Sequence, residues 1–445
     1  MRPVDTVVIG AGWSGLACAV ELARAGHQVT VLESAPQPGG RARSVPLGEH
    51  LLDNGQHLLI GAYHHVLELL QTLGVAESTV LLRLPLDLTM RAPKHRGLAL
   101  STLYLPAPLH LLGGLLTARG TGLLESLAAL PGIRRMIRWK QDEDITVGTL
   151  LLRCAQPETL IRGLWAPLCL AALNTPVEQA SARLFCRVLN ESFSGHRSHC
   201  DLLLPRVDLD QVLAHPARHY IEQRGGRLLC GRRVMKLEPL AGGGLRVGLR
   251  DQDIEARHVV LATPAGVTAA LCTPLPGMHD TVRGLEQLGH EPICTVYLRY
   301  PPETRLPTPM VGVLDLTAQW IFDRRHTDNP GIMGVVVSGP GAHMDLDNEA
   351  LARQVSAELA LLYPDWPAPQ EFWVVREKRA TFRASAGCET HRPPMRTPIE
   401  GLWLAGDHVR NGLPATLEGA VINGVQCARA IVASRSPQPL TPQRP

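Results

Sequence analysis

The stretch VVIGAGWSGLACAVELARAGHQVTVLES, residues 7–34, leaves the chain few ways to fold. Val7, Val8 and Ile9 form an apolar run that reads as a parallel strand covered on both faces. Gly10, Gly12 and Gly15 follow at G-x-G-x-x-G spacing, and residues 16–25 read as an amphipathic helix. A second apolar strand, residues 29–32, runs into Glu33. Each glycine has a separate physical task. Gly10 permits the tight turn, Gly12 lets backbone approach a pyrophosphate, and Gly15 lets helix lie close on strand. The helix start, with Trp13 and Ser14 in its turn, then offers N–H groups and a positive dipole end to phosphate. Glu33, with Ser34 beside it, stands where a carboxylate accepts hydrogen bonds from ribose hydroxyls. A dinucleotide is the expected ligand.

The next residues say which dinucleotide. Pro38-Gly39-Gly40-Arg41-Ala42-Arg43 suits a loop passing close to phosphate and flavin, with Arg41 or Arg43 giving charge-assisted hydrogen bonds. The far end supplies the matching half: a strand at 402–405, Gly406-Asp407, a loop, and a helix from about 418 to 432. Asp407 is expected to hold a ribityl or phosphate-proximal hydroxyl. Thr416, Leu417 and Ala420 open a helix whose N–H groups can face a reduced flavin pyrimidine. Gly419 and Gly424 let that helix lie close to a ligand or a neighbouring strand. FAD is the expected cofactor, with Ala262 and Thr263 closing a strand near its pyrophosphate.

These two ends resemble the flavin-containing amine oxidase and carotenoid desaturase superfamily. Four strings make the chain similar to its squalene-associated branch, nearest the hydroxysqualene dehydroxylase family. They are DNGQHLLIGAY (53–63), LWAPLCLAALNTP (164–176), DLLLPRVDL (201–209) and GDHVRNGLPATLEGAV (406–421). The resemblance implies an α/β protein with a Rossmann-like FAD-binding domain, an inserted mixed sheet and a helical cap. It also implies that the backbone of Val234 meets the adenine ring. His408 is a departure, since tryptophan is expected there.

Composition bounds the rest. A chain of 445 residues with a formal charge of +3 can bury a large core and gives no sign of binding nucleic acid. Its ten cysteines form no C-x-x-C pair and read as small buried hydrophobes. They suit a reduced, cytoplasmic setting, and a chain that enters its first strand by Thr6 leaves no room for a signal peptide. We expect a discontinuous FAD-binding domain over 1–62, 221–274 and 398–435. Segments 63–220, mostly helical, and 275–397 would form the substrate domain, and 436–445 a disordered tail. The leucine-rich run 97–132 is too interrupted to span a membrane. Residues 133–140, with four positive charges among bulky apolar residues, suit peripheral contact with the inner face of a membrane.

No metal constellation and no second G-x-G-x-x-G appear, so an external electron donor is needed and the redox chemistry falls to the flavin. The resemblance implies an isoprenoid or hopanoid precursor pathway, with hydroxysqualene reductively dehydroxylated to squalene by hydride from reduced FAD. Asp53, Gly55, Gln56 and His57 follow the flavin-proximal loop. Asp53, Gln56 and His57 are the polar candidates for the catalytic site, although His57 reads at least as well as a packed histidine bonded to backbone as it does as a general acid. Two alternatives stay open: a phytoene-type desaturase with FAD as hydride acceptor, and a non-catalytic isoprenoid carrier of the escort-protein type. An amine oxidase fits less well, because Thr416 and Leu417 stand where an aromatic ring would guide the amine.

Overall fold

The computed structural model describes residues 4–94, 97–139 and 143–434. The tail expected at 436–445 and Lys140 lie outside them. Two seven-stranded sheets dominate the architecture. The first is built from both ends and the middle of the chain. Its strands run in the order Arg227–Leu229, Val29–Leu32, Val4–Ile9, Asp253–Leu261, Leu245–Gly248 and Lys236–Pro239. The strand Asp253–Leu261 divides its outer edge. Its first half pairs antiparallel with Leu245–Gly248, and its second half pairs parallel with Leu402–Leu404. The parallel core is apolar on both faces; all four residues of Val29–Leu32 are buried.

Helices cover this sheet as the sequence directs. Trp13–Arg24 starts inside the expected turn rather than after it, and every residue from Trp13 to Ala23 is buried. It lies between the sheet and the last helix, Leu417–Ser434, which is its main helical neighbour. Gly424 makes that contact possible. A Cβ there would stand 2.1 Å from the Ser14 carbonyl oxygen, so the close partner of this glycine is a helix and not a strand. The α/β fold class is as expected.

The second sheet has the order Glu371–Phe382, His290–Arg299, Ile332–Ser338, Trp320–Asp323, Met310–Val313, Asp87–Arg91 and Ala99–Ser101. Its last two strands come from the segment expected to be mostly helical. The two-residue period of a strand divides its faces. Cys294, Val296, Leu298, Met333, Val335 and Val337 pack under the helix Asn348–Leu362 in one cluster. Trp320, Phe322 and Val336 turn the other way and join a cluster with Leu98, Leu164 and Trp165 of the helical cap. Asn174 ties cap to sheet: its Oδ1 accepts from Gly339 N (2.7 Å) and its Nδ2 donates to Thr381 Oγ1 (3.0 Å). All ten cysteines are free and nine are buried. Among the described residues no helix is long and apolar enough to cross a membrane.

Candidate functional site

The glycine turn is built against the strand that ends at Leu261. A Cβ on Gly10 would come 2.4 Å from the Ala262 carbonyl oxygen, and one on Gly15 would come 2.0 Å from Gly10 O. Gly10 also has φ +104°, a region that side chains disfavour. Gly12 differs: a Cβ there would meet nothing nearer than Gly40 Cα at 3.9 Å. Room is therefore left on the outer side of the turn. The helix behind it starts with no side-chain cap and no acid in its first turn. Ser14 Oγ and Trp13 Nε1 are buried there without a partner. Unpaired buried donors at an uncapped helix start suit a pyrophosphate.

The remaining nucleotide-side residues gather around that turn. Glu33 Oε2 accepts from Ala11 N at 2.8 Å, and its Oε1 accepts from Ala35 N (2.8 Å) and Ser34 Oγ (3.3 Å). Gly39 N donates to Ala11 O (2.8 Å), bringing the Gly39-Gly40 loop onto the turn. Arg232 N donates to Glu33 O at 2.7 Å, so Val234 lies two residues beyond a contact with Glu33, just before the strand Lys236–Pro239. Ala262 N donates to Ile9 O (2.8 Å), and Thr263 Oγ1 bonds Thr268 Oγ1 (2.8 Å).

Arg41 and Arg43 take partners the sequence did not suggest. Arg41 bonds the Asp407 carboxylate at 2.7 Å and the Ala380 carbonyl at 2.6 Å, while Arg43 closes its own loop on Gly40 O (2.6 Å). The two ends of the chain thus meet in an ion pair. Burial opposes ionisation of Asp407, but the Arg41 charge and bonds from His408 and Arg41 hold its carboxyl well below the usual range. Gly406 has φ +145°, and a Cβ there would strike the His408 ring at 2.6 Å. His408, in the tryptophan position, is itself buried. Arg392 fixes the loop that follows. Fully enclosed, it donates to the carbonyls of Asp407 (2.8 Å), Val409 (2.6 Å) and Leu413 (2.7 Å) and pairs with Glu389. Asn423 Nδ2 adds bonds to Gly406 O (2.7 Å) and Val409 O (2.9 Å). The last helix then opens with Thr416 Oγ1 accepting from Gly419 N (3.0 Å), an N-cap that leaves Leu417 and Ala420 in its first turn.

The DNGQH string is clamped onto the second sheet. Asp53 Oδ2 pairs with Arg324 at 2.8 Å, and its Oδ1 accepts from Leu209 N (3.1 Å). Both Asp53 and Arg324 are enclosed to 1% exposure. Asp53 is thus committed to a closed ion pair, the position of an anchor. Arg324 also donates to Gln56 Oε1 (2.9 Å), while Gln56 Nε2 donates to the Tyr297 oxygen (2.8 Å) and Tyr297 donates to Asp53 O (2.7 Å). Gly334 makes room: a Cβ there would lie 3.0 Å from Gln56 Nε2. Gly55, with φ +106°, sits over Thr295, whose buried hydroxyl has no partner. His57 Nδ1 lies 3.2 Å from Gly55 O, which fixes a proton on Nδ1 and leaves Nε2 bare in the neutral ring. Burial lowers the His57 pKa, partly offset by the Asp53 charge. At rest, His57 is an acceptor and not an acid.

Arg324, Tyr297, Arg392, Asn423 and Glu418 escaped sequence reasoning. Only the last two left a signal there, as polar positions on an otherwise apolar helix face. Glu418 bonds His65 N (2.9 Å), Val66 N (3.0 Å) and His65 Nδ1 (2.9 Å), capping the helix His64–Thr72 from across the fold.

Known proteins resemble this chain along nearly its whole length. The family model for flavin containing amine oxidoreductases matches residues 13–432. The chain is 30% identical to hydroxysqualene dehydroxylase of Rhodopseudomonas palustris over 96% of its own length and 98% of that protein. It is 27% identical to the enzyme of that name in Zymomonas mobilis (97% and 99%) and 23% identical to 15-cis-phytoene desaturase of Solanum lycopersicum (97% and 78%). Among solved structures, cyclohexylamine oxidase from Brevibacterium oxydans superposes with TM-score 0.69 at 19% identity, covering 97% of this chain and 99% of that one.

Proposed function

The chain belongs to the flavin containing amine oxidoreductase family, and from that membership we propose that this FAD-dependent oxidoreductase converts hydroxysqualene to squalene. The observation that carries the reading is 30% identity to a hydroxysqualene dehydroxylase sustained along 96% of the chain. The inner face of the second sheet supports it. Trp320, Phe322 and Val336 share one buried apolar cluster with Leu164 and Trp165 of the cap, surroundings that suit a hydrocarbon better than a polar substrate. The carrier alternative gives way, since the named relatives in this comparison are redox enzymes.

In the reaction a carbon–oxygen bond breaks and a carbon–hydrogen bond forms. The substrate takes up a hydride and a proton, and water leaves. FAD, when bound and reduced by an external donor, would supply the hydride. We assign its pyrophosphate to the turn Gly10–Gly15, its ribose to Glu33, its adenine side to Val234, and its flavin side to Gly406, Asp407, Thr416, Leu417 and Ala420. Gln56 orients the substrate hydroxyl. Arg324 and Tyr297 fix its amide, and one of its two amide hydrogens is committed to Tyr297. His57 must first take up a proton on Nε2 before giving it to the departing oxygen. Excluding bulk water strengthens both contacts.

The test is anaerobic incubation of chemically reduced holoenzyme with hydroxysqualene, followed by mass spectrometry. Squalene is expected from reduced enzyme and not from oxidised enzyme. A second reading, polyene desaturation, draws on 23% identity to phytoene desaturase. Phytoene consumption by the oxidised enzyme, with no squalene in the first assay, would replace the proposal by that one.

A further inference from the structure

We propose that the outer face of the cap docks on a bilayer containing anionic lipid, through one stripe of the helix Leu123–Ile137 and the neighbouring loop 102–108. The inference does not depend on which isoprenoid the enzyme reduces. It starts from residues 97–118, which contain no Asp, Glu, Lys or Arg. Burial would account for such a run, but much of it is in solvent. Tyr104 is 85% exposed, and Leu103, Leu105 and Leu109 are exposed beside it. The loop is held in place: Leu103 covers Gly113 of the helix Leu109–Leu116, and the Arg197 guanidinium lies 3.8 Å over the Tyr104 ring.

The helix Leu123–Ile137 is the neighbour of Leu109–Leu116 and continues the patch. At 100° per residue, Leu124, Leu127, Ala128, Pro131, Arg134, Arg135 and Arg138, the last at the C-cap, share one side, and all are exposed. Leu124 is 81% exposed. The opposite side, with Ser126, Ala129, Gly132 and Met136, is buried. The exposed stripe is thus aliphatic over its first half and cationic over its second. Glu125 is the sole acid between 97 and 139, and its carboxylate is occupied by Gly122 N (3.1 Å), Thr121 (3.2 Å) and Thr159 (3.1 Å). The sequence places the apolar contact within 133–140. The structure shifts it: Met136 is buried, Ile133 and Ile137 are half-buried, and Leu123, Leu124 and Leu127 before them are exposed.

This order of side chains favours a lipid surface over other occupants. Leucine and tyrosine side chains enter the headgroup–acyl boundary while arginines reach phosphates. The helix is too short to span, at about 22 Å for its length. A second copy packed stripe to stripe would set arginines against leucines or against arginines, since the stripe itself carries no carboxylate to pair them. Ala129 and Met136, on the inner side of the same helix, belong to the cluster that includes Trp165, Phe322 and Val336. A docked bilayer would therefore lie against a helix whose inner side belongs to this apolar cluster.

Co-sedimentation of the full-length holoenzyme with phosphatidylcholine vesicles, with and without phosphatidylglycerol, tests the proposal. Binding is expected to the mixed vesicles and to fall as salt is raised. Arg134→Glu with Arg135→Glu should weaken it by at least roughly twenty-fold, since each surface arginine contributes about five-fold. Leu124→Glu with Leu127→Glu should weaken it as well, whereas Leu361→Glu, an exposed leucine on the helix Asn348–Leu362, should not. All variants should keep wild-type flavin absorbance and unfolding midpoint. Failure of the wild type to bind either vesicle, or unchanged binding after charge reversal, would overturn the proposal. So would sedimentation velocity in which the wild type is a dimer and the leucine variant a monomer.

Discussion

Arg324 commits both terminal nitrogens, one to Asp53 and one to Gln56, in a place with almost no solvent. Replacing it by methionine would strand the Asp53 carboxylate, a loss of about 3–5 kcal/mol for a broken buried pair. A large drop in the denaturation midpoint is expected for Arg324→Met, with much of it recovered by adding Asp53→Asn. An unchanged midpoint would mean that the pair carries no stability. His57 makes a kinetic prediction. Because burial lowers its pKa, the protonated ring is scarce at pH 7 and grows as pH falls. The single-turnover rate of squalene formation should rise from pH 8 to pH 6 in the wild type and be flat in His57→Gln. These residues differ in how readable they were. Gln56 and His57 lie in a string that follows the flavin loop. Tyr297 and Arg324 reach that string from 241 and 268 positions away and carry no local motif of their own.

The two helices at the chain's ends show what periodicity and glycine spacing can predict. The first helix, its turn and Glu33 were legible because each needs a particular residue at a particular spacing. The last helix was legible as a buried amphipathic run, but its partner was not, since a glycine announces close approach without saying to what. Gly424→Val would press a branched side chain into the Ser14 carbonyl and lift the last helix from the first. Overpacking of this kind costs about 1–3 kcal/mol, and here it also displaces the helix start assigned to the flavin. Purified Gly424→Val should carry clearly less FAD per chain than wild type by absorbance; full occupancy would count against that assignment. Glu418 acts between elements too. Glu418→Ala removes the carboxylate that caps the helix His64–Thr72 and should lower stability by roughly 1–2 kcal/mol, read as a shift in unfolding midpoint.

Across the whole molecule, buried and half-buried histidines tie stability to pH. His57, His110, His290, His326 and His343 all have pKa values lowered first of all by burial, that of His326 to about 4. In the unfolded chain they titrate near 6.5, so below that value the unfolded state binds more protons than the folded one. Their contribution is complete above the unfolded value and is lost as pH falls through the folded ones. His65, raised by its bond to Glu418, works the opposite way as pH rises. Urea midpoints should therefore decline from pH 7 to pH 4.5, and His326→Gln should make the decline shallower; parallel curves would show that this ring contributes nothing. At this scale the sequence conveyed the architecture through its strand–helix alternation. It did not reveal that Asp87–Arg91 and Ala99–Ser101 join the second sheet, because strand pairing is decided by partners far along the chain. The same distance governs synthesis. The strand Val4–Ile9 is made long before one of its two hydrogen-bonded neighbours, Asp253–Leu261, and Arg41 waits for Asp407. A valine-rich edge must stay unpaired until more than two hundred further residues have been made, so the nascent chain has reason to engage a chaperone.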